Sequence, residues 1–208
     1  MGAGMSELQE IADQVRVCQK CPLGQARTNA VPGEGPENAE IMFIGEAPGF
    51  HEDRQGRPFV GAAGKFLEEL LASIGLKRED VFIANVIKCR PPGNRDPLPD
   101  ELSACRPYLD RQIELIKPKI IVTLGRFSMA RYFPGASISR IHGQPKRAGD
   151  VIYFPMLHPA AGLHQASWRP LIEEDIKKLP ALIEEIRRAT KPAAEEPPKD
   201  HFEQLSLF

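Results

Sequence analysis

The chain has 208 residues, of which 42% are hydrophobic and 26% charged, with a formal net charge of −1. These values are ordinary for a soluble globular protein with one core, and they exclude a global basic field as the means of binding nucleic acid. No apolar run could span a bilayer and no signal-peptide pattern opens the chain, so the expectation is a cytoplasmic protein whose four cysteines suit metal ligation better than disulfides.

Ser6 to Val17 reads as a short amphipathic helix, with Ser6 as N-cap and Leu8, Ile11 and Val15 apolar. Cys18-Gln19-Lys20-Cys21 follows at once, and Asn29 to Asn38 is loop. Ile41-Met42-Phe43-Ile44 has the length and type of a buried strand. It breaks into Gly45-Glu46-Ala47-Pro48-Gly49, a polar loop, and Arg57-Pro58-Phe59-Val60-Gly61. A helix starts at Gly61, with Phe66, Leu67, Leu70, Leu71 and Ile74 on one face.

Asp80 to Lys88 is the second strand, interrupted by Asn85, and it ends in the loop Cys89–Arg95. A helix with Pro99 at its start carries Cys105 towards Ile116, irregular at Pro107. Lys119 to Leu124 is the third strand, Arg126 to Phe133 a short helix, and Ser137 to Gly149 a polar loop. Val151 to Leu157 is the fourth strand, ending in His158-Pro159, and one long helix spans Arg169 to Ala189. Strands alternating with helices predict an α/β fold: three layers, α/β/α, around a central, mostly parallel four-stranded sheet. Residues 1–189 form the domain, and the Pro-, Ala-, Glu- and Lys-rich residues 190–208 read as a disordered tail.

Three strands end in unusual loops: Gly45–Phe59, Cys89–Arg95 and His158–Gln165. In an open α/β sheet such loops converge on one crevice, so Glu46, Phe59, Asn85, Asn94 and His158 are expected to meet there. The cysteine spacing, Cys18-x2-Cys21 and Cys89-x15-Cys105, suits a tetrahedral zinc site or an iron–sulfur cluster and does not choose between them.

Taken together, GEAPG, GRPFVG, ANVIKCRPP-x-NR, LGR and HPAA, with these four cysteines, resemble the family 4 uracil-DNA glycosylases, the iron–sulfur members of their superfamily. The resemblance covers about Val17 to Ile186. It implies a monofunctional hydrolase that flips uracil from DNA and hydrolyses its N-glycosidic bond, the first step of base excision repair. It implies uracil-containing single- and double-stranded DNA as substrate and a [4Fe–4S] cluster on Cys18, Cys21, Cys89 and Cys105. Phe59 matches the stacking aromatic, Asn85 the reader of the base edge, and His158 the donor near uracil O2. Glu46 is the acid nearest the attacking water, with Ala47 beside it in the turn. Asn94 is a further pocket residue, Glu52 fills the space beside C5 and so rejects thymine, and Leu163 is the wedge that fills the flipped base's gap.

Basic residues near the crevice, among them Arg57, Arg90, Arg95, Arg126, Arg140, Lys146 and Arg147, are candidate phosphate contacts. A related branch links covalently to DNA through the histidine of an RIH motif in an insertion after the second strand. That insertion is missing here, and Arg140-Ile141-His142 stands in a different loop. The competing reading is an iron–sulfur- or zinc-stabilised nucleic-acid-binding protein without glycosylase activity. The terminal Gln204-Leu205-Ser206-Leu207-Phe208 resembles the pentapeptide by which bacterial repair proteins dock on the sliding clamp, with Gln204 at the pocket edge and Leu205, Leu207 and Phe208 in apolar subsites. This predicts a monomeric, nucleoid-associated bacterial protein with no membrane partner.

Overall fold

Short apolar runs form the centre of the computed structural model, which describes residues 5–190. They are β1 (Ile41–Gly45), β2 (Phe82–Asn85), β3 (Ile120–Leu124) and, after a short polar strand β4 (Lys146–Ala148), β5 (Val151–Met156). The sheet order is β2-β1-β3-β5-β4; the first four pair in parallel, and β4 runs antiparallel to β5. The sheet therefore has five strands and not the expected four. Lys146–Ala148 was hidden because it is exposed along its length and carries no alternating pattern, while its register against Val151–Tyr153 makes it an edge strand. Charged side chains on such an edge discourage pairing with other chains.

Ten helices flank the sheet among the described residues: α1 (Glu7–Arg16), α2 (Leu23–Ala26), α3 (Phe50–Gln55), α4 (Ala62–Ser73), α5 (Pro99–Ile116), α6 (Arg126–Ala130), α7 (Ile138–Ile141), α8 (Pro159–His164), α9 (Arg169–Ile176) and α10 (Leu179–Thr190). The Ser6 hydroxyl caps α1 by accepting the Gln9 N–H at 3.2 Å. Alternating residues of each strand serve opposite layers. Ile41, Phe43, Ile83, Val122 and Phe154 pack with Phe66, Leu70, Ile172 and Ile176 of α4 and α9. Met42, Ile44, Phe82, Ala84 and Ile121 pack with Leu109 and Ile116 of α5. With both faces covered, the parallel strands read as unbroken apolar runs. The expected three-layer α/β/α architecture is the one observed.

The helix expected over Arg169–Ala189 is two, α9 and α10. Pro180 has no N–H to continue the first into the second. Pro107, where an irregularity was expected, lies inside an unbroken α5. A third cluster joins Ile11 and Val15 of α1 and Leu23 of α2 to Ile87, Cys89, Cys105 and Tyr108, so the amino-terminal segment is folded onto the loop after β2. No helix among the described residues is long and apolar enough to cross a membrane. Thr190, expected to open the tail, closes α10, and the rest of the tail, with its pentapeptide Gln204 to Phe208, lies outside the described residues.

Candidate active site

Because β1, β2, β3 and β5 are parallel, their carboxyl ends open on one edge of the sheet. An open cleft of about 410 Å³ lies there. Its walls include Glu46, Ala47, Glu52, Phe59, Asn85, Asn94 and His158, so the expected pocket residues do come together, joined by Gly49, Arg95 and His164. Leu163 follows the cleft on α8 and is 43% exposed. Its neighbour Gly162 is buried, and a Cβ there would meet Ile172 Cδ1 at 3.1 Å and Phe66 Cε1 at 3.2 Å, so only Leu163 of the two can project.

The loop from Gly49 to Gly61 is closed on itself by one side chain. Glu52 Oε1 accepts the N–H groups of Val60 (2.9 Å) and Gly61 (2.8 Å), and Oε2 accepts that of Gly49 (3.1 Å). Phe59 sits in this loop with φ of +49°, a left-handed conformation that a bulky residue adopts only when its surroundings hold it there. Two groups do so. Arg78 donates from Nη1 to Phe59 O at 2.8 Å and from Nη2 to Pro58 O. Gly64 leaves room for the turn, since a Cβ on it would stand 1.9 Å from Phe59 O. The Phe59 and His158 rings then lie near-parallel, 5.5 Å between centroids and 26° between planes.

Asn85 is the last residue of β2 and is buried. Its side-chain Oδ1 has no hydrogen-bond partner in the protein, and of the buried polar atoms in that state among the described residues it is the one that borders the cleft. His158 Nδ1 accepts the Ala160 N–H at 3.1 Å. Burial pushes the imidazole down to about 4, against the pull of the Glu52 carboxylate. The ring is therefore neutral at pH 7, and with Nδ1 occupied as an acceptor its proton is on Nε2. Burial also raises the Glu46 carboxyl above its ordinary value; the Asp96 carboxylate raises it further, and Arg126 opposes both. Arg126 is itself paired with Asp96.

Sequence reasoning missed Arg78, Asp96 and the buried Asp53, whose Oδ1 accepts the Thr28 N–H at 2.9 Å and so ties the preceding loop to α3. A polar residue in a polar loop carries no signal of the distant backbone it will meet. Of the candidate phosphate contacts, Arg57 is held by Glu34, Arg95 by Glu101, Arg126 by Asp96 and Arg147 by Glu185. Arg140-Ile141-His142 lies away from the cleft, with His142 Nδ1 2.6 Å from Asp175 Oδ2.

On the far side of the loop after β2, Cys18, Cys21, Cys89 and Cys105 line one small void with Arg27, Lys88 and Tyr108. No group of His, Cys, Asp or Glu among the described residues is gathered tightly enough to hold a metal ion, so the four thiols surround a space without converging on a point. Donors are aimed at the sulfurs: Arg27 Nη1 is 2.9 Å from Cys89 Sγ, Lys88 N is 3.2 Å from Cys105 Sγ, and Lys20 N is 3.5 Å from Cys18 Sγ. Lys88 is fully buried, its Nζ bonded to Gln112 Oε1 at 2.7 Å. Such a set of thiols, sulfur-directed donors and a buried lysine fits an anionic, thiolate-ligated group larger than one ion.

The chain matches the family model of the Uracil DNA glycosylase superfamily over residues 32–188, a span that holds the whole sheet. The chain is 52% identical over 196 residues to the type-4 uracil-DNA glycosylase of Sulfurisphaera tokodaii, covering 89% of each. It is 50% identical to that of Archaeoglobus fulgidus over 84% of this chain and 92% of the relative, and 45% identical to that of Thermotoga maritima over 85% and 95%. This chain belongs to the type-4 uracil-DNA glycosylase family of that superfamily.

Proposed function

We propose that this protein flips uracil out of single- and double-stranded DNA and hydrolyses its N-glycosidic bond without cutting the strand, starting base excision repair. The observation that carries the reading is the unpartnered Asn85 Oδ1 at the wall of a cleft that also holds a near-parallel Phe59 and a neutral His158. A buried carbonyl without a donor is costly, and the N3–H of uracil is the donor it lacks. The amide's N–H₂ then donates to uracil O4, so one side chain reads both edge groups. Cytosine offers no N3–H and an amino group in place of O4, and is refused.

Phe59 supplies the flat surface on which the base rests. Cleavage leaves charge on the base, and His158 Nε2–H donates to uracil O2 as that charge grows. A neutral imidazole suits this task, because it neither requires a proton from solvent nor strands a charge in the empty cleft. Glu46 is the carboxylate nearest the attacking water, with the Ala47 main chain beside it. Glu52 excludes the thymine methyl while closing the loop that carries Phe59. Leu163, exposed beside the cleft, fills the gap left by the flipped base.

We infer further that Cys18, Cys21, Cys89 and Cys105 hold a [4Fe–4S] cluster, supported by the four thiols around one void and by the donors on their sulfurs. When bound, it supplies a structural tie between the amino-terminal segment and the loop after β2. The experiment that tests the whole reading incubates cluster-replete protein with a uracil-containing single-stranded oligonucleotide and cleaves abasic sites with alkali. Strand scission at the uracil is expected; none would leave the nucleic-acid-binding alternative.

For residues 190–208 the proposal is a tail that docks Gln204, Leu205, Leu207 and Phe208 on a sliding clamp, with a Kd on the order of micromolar, as a short peptide with few buried side chains allows. Full-length protein should bind a bacterial clamp, and protein truncated before Gln204 should not.

A further inference from the structure

We propose that Phe50, with Arg54 and Arg90, forms a stacking platform at the lip of the cleft for the base adjoining the flipped uracil on the same DNA strand. The inference rests on the glycosylase reading above and assigns a second subsite to it. Phe50 opens α3 directly after Gly49, a residue of the cleft wall, yet its ring turns outward and is 47% exposed. Two guanidinium groups lie over that ring, Arg90 at 5.2 Å and Arg54 at 5.7 Å from its centroid, and the His51 ring stands edge-on at 5.5 Å. An exposed phenylalanine inside a cationic, aromatic group offers what an unpaired nucleotide needs: a π-face for the base and positive charge for its phosphate.

The charges on this patch differ from those elsewhere around the cleft. Arg95, which lines the cleft, and Arg126, which acts on the Glu46 carboxyl, are each paired with a carboxylate, whereas among the described residues neither Arg54 nor Arg90 has one. Arg90 instead donates from Nε to Asn94 Oδ1 at 2.8 Å, and Asn94 lines the cleft. Asn94 holds φ of +56°, so the loop is bent to bring that amide between the cleft and Arg90. The platform is thus joined to the uracil pocket twice, through Gly49–Phe50 and through Asn94–Arg90. A base in a duplex is already stacked and paired; a base in a single strand is free to be taken up. The platform therefore favours unpaired DNA, and its occupant is a nucleobase of single-stranded DNA next to the uracil.

The test uses full-length, cluster-replete protein and fluorescence anisotropy with single-stranded oligonucleotides carrying 2′-fluoro-2′-deoxyuridine, which resists cleavage. In one series the nucleotide on each side of the uracil is replaced in turn by a tetrahydrofuran residue that lacks a base. The intact protein should lose about tenfold in affinity when one of the two neighbouring bases is removed, in the range of one base–aromatic stack. Phe50→Ala should abolish that difference and Phe50→Trp should keep it. Arg90→Gln should make binding less salt-dependent, lowering the slope of log K against log salt by about 0.7. Indifference of the intact protein to both base removals, a comparison that needs no variant, overturns the platform; so does an undiminished difference in Phe50→Ala. Uracil release from the cleavable oligonucleotide is followed in parallel. Intact protein that ignores both base removals yet releases uracil overturns the platform alone, whereas absent release by the intact protein overturns the glycosylase reading and the platform with it.

Discussion

The cleft and the thiol site stand at opposite ends of one short stretch, Asn85 to Cys89, and they treat their polar groups in opposite ways. In the cleft Glu52 is engaged by three backbone N–H groups and His158 Nδ1 by that of Ala160. The buried Asn85 Oδ1 is left over for a visiting ligand. Around the thiols the donors exceed the obvious acceptors, with the Arg27 guanidinium and the buried Lys88 beside Cys89 and Cys105. The first arrangement suits a neutral base that becomes an anion briefly; the second suits a permanent resident carrying negative charge. A site for turnover spends its buried polar groups sparingly, while a site for a structural group collects compensating charge.

That contrast can be broken most severely at the thiols. Cys105→Ser should lose essentially all bound iron, measured by metal analysis and visible absorbance, and should lower the melting temperature, because metal binding and folding are coupled. Full iron content would exclude Cys105 as a ligand. On the cleft side, His158→Ala should reduce the single-turnover rate by about 10²–10³ while binding of uracil-containing DNA changes little, since the donor acts mainly as charge develops. Equal losses in rate and binding would make His158 merely structural. Because the imidazole is neutral down to about pH 4, the rate profile should show no step near pH 6.5.

Asn85→Asp is expected to cost roughly tenfold or more in uracil excision, as a carboxylate replaces the amide donor, and to shift selectivity towards cytosine. Unchanged rates on both bases would remove Asn85 from the reading of the edge. The smallest effect belongs to Asp96. Its charge helps to raise the Glu46 carboxyl, so Asp96→Asn should lower that pKa and move the acid limb of the rate profile to lower pH. A limb that stays in place would separate Glu46 from the rate-limiting chemistry.

The parts of this design visible in the sequence are those that combine an apolar strand with an abrupt polar end. β1, β2, β3 and β5 announce themselves as buried runs, and Asn85 and His158 stand out because each ends one. α3 was hidden because Phe-His-Glu-Asp-Arg-Gln has no apolar period and starts from a glycine. β4 was hidden because an exposed edge strand needs no hydrophobic face. Arg78 and Asp96 matter through partners 19 and 30 positions away, Phe59 and Arg126, and nothing local marks them. The same holds for Glu52: its acid was read as a steric guard, while its three backbone bonds make it also the clasp of the loop.

β2 ends at Asn85, and the chain bends over the next four residues to reach Cys89. Val86 N–H is bonded to Gly45 O at 3.0 Å and Ile87 N–H to Glu46 O at 3.2 Å, so the intervening residues are pinned to the very turn that holds Glu46. Only four positions separate the Asn85 amide from the Cys89 thiol, so the two sites share one short tether. Under the proposed cluster and the proposed role of Asn85, cofactor assembly becomes a licence for base reading: iron loading would fix the Cys89 end of this tether and so steady the amide at its other end. Hydrogen exchange at the Val86 and Ile87 amides, compared before and after iron loading, would register this checkpoint as slower exchange in the loaded protein. Exchange unaltered by loading would mean that the tether is set by the sheet alone.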